Sequence, residues 1–574
     1  MAVQLNYIAP PGWQPENPDQ DYLVIQFKIE LADFVDKKKF ADAAASVAAE
    51  SSTGTWTKVD EGPQSGIKMA DDMKAIVFDV DEANFMFKVA YKTDLFEADN
   101  MSGFLAGPAG NIGGMKMVKG LRMFDVRFPE KMVKAFPGPR YGIEGVRDLL
   151  EHDDNQRKLP ILGTVPKPKV GRTAEEQAVL ARRLWTAGDG SYDFVKDDEN
   201  LTSLFFNKFD DRARLVHQVQ LEIEQKTGKK KLYLCNLSHS NLDVMLKRAD
   251  LIKETGGRCM MIDVIATGFA AVHTMRLKNP ELVIHAHRAM HAFITRESGE
   301  GIEGHGALNG FSVSMLTLAK IFRLLGVDSL HTGSPKAKME DYGESEEIMR
   351  VLTQDEVMPN PKFLSLGQKW FGTKRVWPVA SGGLHPGVMD TVLAKFGRDC
   401  YIQMGGGVLG HPQGVERGVE AALEARRAVI VQGLTVKEFV TTDQEIILSY
   451  RTILYCAELV LSCGKTVIMD ATFQKKMYIE MAKETARKTG HKFVLIKVIC
   501  DEAICKQRMD ERVKNKTSDS IVGYDHHLKV KEEIFEEYPQ AEFTYDSSQH
   551  DKLQLEELRL LLLPELPQSH NSAI

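Results

Sequence analysis

A lysine and three acidic residues lie together in the segment DFVKDDEN, residues 193–200. The two-residue period of a β-strand would direct Lys196 and Asp198 to the same side, with Glu199 following at the turn. Two carboxylates suit a hard cation such as Mg²⁺, which prefers oxygen ligands. A free ammonium group would repel that metal, so Lys196 is either a counter-ion or chemically modified, for example by CO2 to a carbamate. The same residues also fit a solvated acidic loop after a strand.

Two further groups of basic residues close apolar runs of the sequence. Lys167 and Lys169 form the triplet KPK, and two cations at such a position suit a phosphate or a developing enolate. The segment HAHRAMH, residues 285–291, holds three histidines and an arginine, and strand alternation directs His285 and His287 to one side. A single histidine at such a position is more often a core residue, but this cluster favours a site.

Two glycine-rich segments close later runs. Ser381-Gly382-Gly383 and Gly405-Gly406-Gly407 present backbone amides without side chains, which could hold a phosphate. Tight turns would explain the same glycines equally well.

The elements that carry these residues predict a (β/α)8 barrel between about residues 141 and 437. Eight short apolar runs, each ending in polar or glycine-rich residues, alternate with amphipathic helical stretches. In such a barrel the residues that close the strands form the mouth where active sites lie. The runs are LPILGTVPKPK, YDFVKDDEN, KLYLCNLSHS, CMMIDVIAT, LVIHAHRAMH, SLHTGSPKAK, VWPVASGG and YIQMGGGV.

Two further domains flank the predicted barrel. Residues 1–140 carry strand patterns at 22–29, 73–80 and 85–89 and a helix at 40–50, which indicate an α+β domain of ferredoxin-like type. Residues 438–574 predict a third, α/β domain. Its expected elements are a helix over 444–462, a strand over TVIMDA (466–471), a helix ending at Lys488, a strand over KFVLIKVICD (492–501) and charged helices after it.

Composition excludes several classes of protein. The 574 residues are 43% hydrophobic and 27% charged, with a net charge of -7, so a soluble multidomain protein is expected and a nucleic-acid binder is not. The seven cysteines form no CxxC pair, and no leader or membrane-spanning segment is apparent, so a cytoplasmic location is predicted. The run Lys229-Lys230-Lys231 predicts a solvated turn before a strand.

Several motifs, taken in order, resemble the large subunit of ribulose-1,5-bisphosphate carboxylase/oxygenase (RuBisCO). The resemblance covers about residues 15–435 and is greatest to the archaeal form III enzymes, which implies no small subunit and a role in nucleotide salvage. The motifs are AAESSTGTWT, GPAGNIGGMK, KPK, DFVKDDEN, HAHRAMHAFITR, LHTGSPKAKME, PVASGGLHPG and QMGGGVLGHPQG.

The resemblance implies a role for each matching catalytic residue. Lys196 would be carbamylated by CO2, would bind Mg²⁺ with Asp198 and Glu199, and would take the C3 proton of ribulose bisphosphate. The enediolate so formed would attack CO2 or O2. The remaining roles are proton donation by Lys167, its tuning by Lys169, proton movement by His287, and contact with the added carboxylate by Lys338 on a mobile loop.

The resemblance also implies how the substrate is held and how the chains assemble. Glu50 and Asn111 would enter the site from a neighbouring subunit, so a homodimer is the smallest active unit. One end of the bisphosphate would contact Arg288, His331 and Ser381. The other end would contact Thr55, Trp56, Gly383, Gly405 and Gly406.

Departures from the family pattern leave one alternative open. Pro166 and Arg172 flank the KPK motif, and Pro335 and Ala337 replace more usual residues of the lid loop, so slower or differently shaped closure is expected. A RuBisCO-like enolase or isomerase of another phosphorylated sugar would keep the KDDE segment without fixing CO2. The carboxylase is favoured because the chain retains Glu50, Thr55, Trp56, Asn111 and Lys338.

The last domain resembles the C-terminal half of small P-loop kinases of AAA-like or zeta-toxin-like type. The resemblance places Asp470 after a core strand and Arg508 and Arg512 among lid arginines. The phosphate loop GxxxxGK[ST] is missing, because Leu459 stands where the first glycine of Gly464-Lys465-Thr466 would be required. The segment is therefore expected to be a regulatory or scaffolding module, a vestige, or half a kinase completed by another chain.

Overall fold

A computed structural model describes residues 7–54, 66–296, 310–334 and 344–431, together with a discontinuous set between 433 and 562. The chain divides into two compact units, Met1–Lys437 and Glu438–Ile574. Thr55, Trp56 and Lys338 lie outside the described residues. In the part of the chain that is described, no helix is long and apolar enough to cross a membrane.

The first unit begins with an α+β domain built on an antiparallel sheet. Its strands are β1 Tyr22–Leu31, β2 Ile76–Asp81, β3 Met86–Lys92 and β4 Val118–Arg127, in the order β4-β1-β3-β2. Its helices are α1 Pro18–Asp21, α2 Phe40–Glu50, α3 Gly66–Asp72, α4 Met101–Ala106 and α5 Glu130–Ala135. The alternation β1-α2-β2-β3-α4-β4 confirms the predicted ferredoxin-like arrangement.

Eight parallel strands close into the predicted barrel. They are β5 Ile161–Thr164, β6 Phe194–Lys196, β7 Leu232–Asn236, β8 Cys259–Asp263, β9 Val283–His287, β11 Ser329–Gly333, β14 Trp377–Ser381 and β15 Tyr401–Gln403. Almost every residue of these strands is buried, as expected when helices cover the outside and side chains fill the inside. All eight predicted strands are confirmed.

The remaining elements of this unit surround or cap the barrel. Helix α6 Gly142–Leu149 lies across the N-terminal ends of the strands, where Ile143 and Val146 pack with the interior residues Phe194 and Trp377. Strand β10 Phe311–Val313 pairs with β4 and extends the N-terminal sheet, and β12 Glu356–Val357 pairs with β13 Gln368–Lys369. The other helices are α7 Ala174–Thr186, α8 Phe209–Thr227, α9 Leu242–Glu254, α10 Val264–Thr267, α11 Phe269–Lys278, α12 Ala292–Thr295, α13 Met315–Leu325, α14 Glu344–Thr353, α15 Met389–Phe396, α16 Gly406–Leu409 and α17 Val415–Val431.

The prediction that Lys229-Lys230-Lys231 forms a solvated turn is wrong for its last member. Lys231 is only 1% exposed, and its Nζ donates to the carbonyl oxygens of Gly190 and Tyr192. Those carbonyls come from a loop about 40 residues earlier in the chain, so no local pattern could have revealed the burial.

The second unit contains helices α18 Lys476–Lys488, α19 Glu502–Asn515 and α20 Lys552–Leu562, and strands β16 Ile496–Ile499 and β17 Phe543–Asp546. The two strands are parallel neighbours. The predicted strand over TVIMDA is wrong for residues 466–469, which form no strand, and Ile468 is 86% exposed. Lys465 follows Gly464, whose φ is +70°, and does not open a helix, so the triplet is the turn that the sequence predicts rather than a phosphate loop.

Candidate active site

The barrel brings most of the predicted site residues to one mouth. Lys167 and Lys169 follow β5, Lys196 closes β6, and His287 closes β9. His331 lies within β11, Ser381 closes β14, and Gly405 and Gly406 follow β15. Because parallel strands end on the same side of a barrel, residues far apart in sequence meet there.

Lys196 is buried at the base of this mouth. Its Nζ donates to the carbonyl oxygen of Asp197 over 2.7 Å and lies 3.5 Å from Sδ of Met261. Burial lowers the pKa of Lys196, although the carboxylates of Glu199 and Asp198 act in the opposite direction. A lowered pKa increases the fraction of molecules in which the amine is neutral, and the neutral amine is the nucleophilic form of a lysine.

The two carboxylates beside Lys196 contact the lysines of the KPK motif. Lys167 Nζ lies 2.9 Å from Oδ2 of Asp198, and Lys169 Nζ donates to Oε1 of Glu199. Burial alone would raise the pKa of Glu199, but the hydrogen bond from Lys169 and the nearby His287 lower it to about 2. Glu199 is therefore ionised near neutral pH, with the ammonium group of Lys169 against it.

Asp197 has a different role from its two acidic neighbours. Its carboxylate accepts hydrogen bonds from Arg212 Nε at 3.0 Å, the Tyr233 hydroxyl at 2.6 Å and the Asn236 backbone N–H at 3.0 Å. Sequence reasoning did not assign this residue a role. The alternation of side chains along a strand could have predicted the difference, because it turns Asp197 away from the side that Lys196 and Asp198 share.

Two imidazoles and two hydroxyls form a buried hydrogen-bonded chain across neighbouring strands. His285 Nε2 lies 3.0 Å from His331 Nε2, and the Nδ1 atoms of these rings lie 2.8 Å from Oγ of Ser329 and Ser381, respectively. Burial lowers the pKa of both histidines well below the usual value. Both rings are therefore neutral, and the chain fixes the orientation of His331 and Ser381.

His287 lies between two carboxylates. Its Nδ1 is 3.1 Å from Oδ1 of Asp263, and its Nε2 is 3.8 Å from Oε2 of Glu199. Asn236 Nδ2 donates to the other oxygen of Asp263 over 3.1 Å. Burial lowers the pKa of His287, while the hydrogen bond with Asp263 opposes that change. Asp263 was missed by sequence reasoning, although it closes β8 at the same mouth.

Two glycines allow close approach of the basic side chains. A Cβ on Gly405 would lie 3.3 Å from Cε of Lys167. A Cβ on Gly333 would lie 2.8 Å from Nη2 of Arg288, and the φ of Gly333 is +94°. Gly383 also has a positive φ of +70° at the end of the β14 segment. These glycines therefore shape the space around the predicted substrate-binding groups.

Two of the predicted site residues that the structure describes belong to the N-terminal domain rather than to the barrel. Glu50 is the last residue of α2, and Asn111 immediately precedes a 3-10 turn at Ile112–Gly114. Their predicted contribution to a neighbouring subunit's site stays a prediction.

The possible metal ligands at the mouth fit a hard cation only if Lys196 is carbamylated. Among the residues that the structure describes, no group of three His, Cys, Asp or Glu side chains could hold a metal ion. Asp198 and Glu199 would provide two oxygen ligands, and a carbamate on the nearby Lys196 would provide the third. The residues therefore fit Mg²⁺ with a carbamylated Lys196, rather than with an unmodified ammonium group at that position.

Fold and site together define a (β/α)8-barrel enzyme whose mouth carries lysines, carboxylates and imidazoles. Residues 142–452 match the family model for the ribulose bisphosphate carboxylase large chain, catalytic domain, and residues 13–132 match that for its N-terminal domain. The chain belongs to the RuBisCO large-chain family. Residues 417–536 additionally match an AAA domain, in agreement with the predicted kinase-like resemblance of the C-terminal segment.

Similar proteins come from archaea. Ribulose bisphosphate carboxylase of Methanocaldococcus jannaschii is 42% identical over 404 residues, which cover 69% of this chain and 89% of that protein. The Thermococcus kodakarensis protein of the same name is 39% identical, with 77% of this chain and 95% of that protein covered. A solved structure titled dimeric archaeal RuBisCO from Hyperthermus butylicus has a TM-score of 0.68 at 35% identity and covers 78% of this chain and 98% of its own. An octameric RuBisCO structure from Pyrococcus horikoshii has a TM-score of 0.65 at 34% identity, with 79% and 99% covered.

Proposed function

We propose that the protein adds CO2 to ribulose 1,5-bisphosphate to give two molecules of 3-phosphoglycerate, and that the same site reacts with O2. The observation that carries this proposal is the position of Lys196, buried at the barrel mouth beside Asp198 and Glu199. The contacts of Lys167 and Lys169 with those carboxylates, together with membership of the RuBisCO family, support it.

Lys196, Asp198 and Glu199 would hold Mg²⁺ after CO2 has modified Lys196. The neutral amine favoured by burial would add to CO2 and release a proton, which replaces a cation by an anionic oxygen ligand. When bound, the metal supplies positive charge next to the substrate carbonyl and so lowers the cost of negative charge that develops there.

The surrounding residues would then move protons and hold the reacting atoms. Carbamylated Lys196 would take the C3 proton, and His287, oriented by Asp263, would accept and return protons during hydration. Lys167 would protonate the carbanion that forms on carbon–carbon cleavage. Lys169, held by Glu199, would keep a second positive charge near Lys167.

The two phosphate groups of the substrate would bind at different parts of the mouth. Arg288, His331 and Ser381 would hold one end, with the His285 contact keeping His331 in place. The backbone amides of Gly383, Gly405 and Gly406, with Thr55 and Trp56, would hold the other end. Lys338 would close over the added carboxylate and exclude water.

Glu50 and Asn111 would complete the site of a neighbouring subunit, which makes a homodimer the smallest active unit. Solved relatives titled dimeric and octameric are consistent with dimers as the building block. Co-expression of the inactive variants Glu50→Gln and Lys196→Met tests this proposal. Random assembly would restore about a quarter of wild-type activity, because half of the dimers would hold one intact site. No restored activity in isolated mixed dimers would contradict shared sites.

The resemblance of the sequence motifs to the archaeal form III enzymes further implies a role in nucleotide salvage without a small subunit. Product analysis separates the carboxylase from the isomerase alternative. Ribulose bisphosphate incubated with Mg²⁺, bicarbonate and the full chain should yield 3-phosphoglycerate. An isomerised sugar phosphate as the sole product would support the alternative.

A further inference from the structure

A polar cavity lies at the opposite end of the barrel from the proposed active site. It has a volume of about 100 Å³ and is lined by residues that precede β5, β6 and β7 and by Arg426 of α17. We call it the basal cavity and define it by His152, Asp193, Lys229, Lys230, Lys231 and Arg426. This volume exceeds the space that one water molecule needs, so a small polar ligand can enter.

The lining of the basal cavity carries more positive than negative charge. Arg426 Nη1 lies 3.3 Å from Oδ2 of Asp193, and Lys230 Nζ lies 3.4 Å from Oε1 of Glu151. These are the two carboxylates of the lining, and each faces one cation. Outside the lining, Asp189 lies 3.5 Å from Lys229 and Glu224 lies 3.9 Å from Lys230, which leaves Lys231 as the cation that no carboxylate of the described residues contacts.

Lys231 is the most deeply buried of these cations. Its Nζ donates to the carbonyl oxygens of Tyr192, at 2.8 Å, and Gly190. An ammonium group has three donors, so one remains for a ligand. Burial lowers the pKa of Lys231 to about 8, which reflects the cost of keeping this charge among neutral acceptors. Within the described part of the chain, no carboxylate lies within 4 Å of this nitrogen.

His152 adds an unsatisfied polar atom to the same cavity. Its side chain is only 10% exposed, and its Nδ1 has no hydrogen-bond partner among the described residues. Nε2 lies 3.9 Å from Oδ1 of Asp193. Buried polar atoms in folded proteins nearly always have partners, so His152 is an imidazole in the cavity wall whose hydrogen-bonding capacity is not fully used.

We propose that the basal cavity binds an oxyanion of the phosphate class, either inorganic phosphate or the phosphate group of a small monoester. Such a group has several acceptor oxygens, which match the third donor of Lys231, the ammonium group of Lys230 and the imidazole of His152, while Lys229 adds positive charge nearby. Its charge would offset that of Lys231. This site is separate from the phosphate positions proposed at the mouth, because it lies before the strands rather than after them.

Equilibrium dialysis of the full chain with radiolabelled inorganic phosphate tests the proposal. The double variant Lys229→Gln and Lys230→Gln removes two partly exposed cations, and His152→Phe removes the unpartnered nitrogen while keeping a ring. Each of these changes should raise the dissociation constant for phosphate at the basal cavity at least about tenfold, because charge-assisted or buried hydrogen bonds are lost. Arg288→Ala at the mouth is the matched control and should leave the dissociation constant of the basal cavity unchanged.

Identical binding isotherms for the wild type and both basal variants would overturn the proposal, as would displacement of phosphate by sodium chloride at equal ionic strength. Glycerol 3-phosphate distinguishes the two sources of the ligand. If it displaces the basal phosphate, the cavity accepts a monoester; if phosphate binds and glycerol 3-phosphate does not displace it, the ligand is the free ion. Thermal unfolding without phosphate verifies that each variant is folded.

Discussion

Arg212 Nε donates to Oδ2 of Asp197 over 3.0 Å, and both side chains are fully buried. Arg212 lies on α8 outside the barrel, whereas Asp197 lies between Lys196 and Asp198 at the end of β6. The contact therefore holds the backbone that carries the proposed metal ligands. It also explains how three consecutive acidic residues present only two carboxylates to the mouth.

Arg212→Met should destabilise the protein strongly. Loss of the guanidinium leaves the carboxylate of Asp197 buried without its cation, which typically costs about 3–5 kcal/mol. Urea unfolding measures this change in the free energy of unfolding. The double variant Arg212→Met with Asp197→Asn should recover part of the loss, because no uncompensated charge remains. Equal stability of Arg212→Met and wild type would contradict the role given to this pair.

Gly333→Ala should weaken substrate binding. A Cβ at this position would lie 2.8 Å from Arg288 Nη2 and would push the guanidinium away. The KM for ribulose bisphosphate is expected to rise about tenfold, as for loss of one charge-assisted contact. Gly372→Ala is the matched control, because its φ of +90° is similar but nothing lies within 4 Å of the added Cβ. A similar KM increase in both variants would contradict this explanation.

His217 should make the protein sensitive to acid. Burial lowers its pKa to about 3, whereas the unfolded chain has the usual value of 6.5. Between these values the unfolded state binds a proton that the folded state does not, so stability falls as pH falls below about 6.5. This residue alone contributes up to about 1.4 kcal/mol per pH unit.

His217→Gln should reduce that pH dependence between pH 6.5 and 4.5, measured as the free energy of unfolding in urea. The exposed His239→Gln is the control and should retain the wild-type slope. An unchanged slope in His217→Gln would show that this imidazole is not kept neutral by burial.

The C-terminal segment should not hydrolyse ATP despite its match to an AAA domain. Gly464-Lys465-Thr466 forms a turn, and the sequence has no GxxxxGK[ST] loop whose amides could hold phosphates. Phosphate release from ATP by the full chain should equal that by Lys465→Met. Hydrolysis that disappears in Lys465→Met would contradict this prediction.

The scaffolding role is tested by a variant that lacks residues 438–574. If this variant assembles and turns over substrate as the full chain does, the segment is not a scaffold.

The barrel was predictable because its strands are buried on both sides and therefore form short, continuous apolar runs. The mouth residues followed from the ends of those runs. Asp263 and Arg212 were not predictable as positioning residues, because their partners come from other elements. The strand over TVIMDA failed for a related reason: its apolar composition suits a sheet, but Ile468 is exposed and pairing depends on distant neighbours.

Carboxylation through a carbamylated Lys196 is tested most directly by the incorporation of labelled CO2 into acid-stable product. Full-length protein preincubated with Mg²⁺ and bicarbonate would receive ribulose 1,5-bisphosphate, alongside Lys196→Arg as a matched variant that keeps a cation but cannot form the carbamate. We expect labelled 3-phosphoglycerate from the wild type and none from the variant. No labelled product from the activated wild type, or equal labelling by Lys196→Arg, would contradict this expectation.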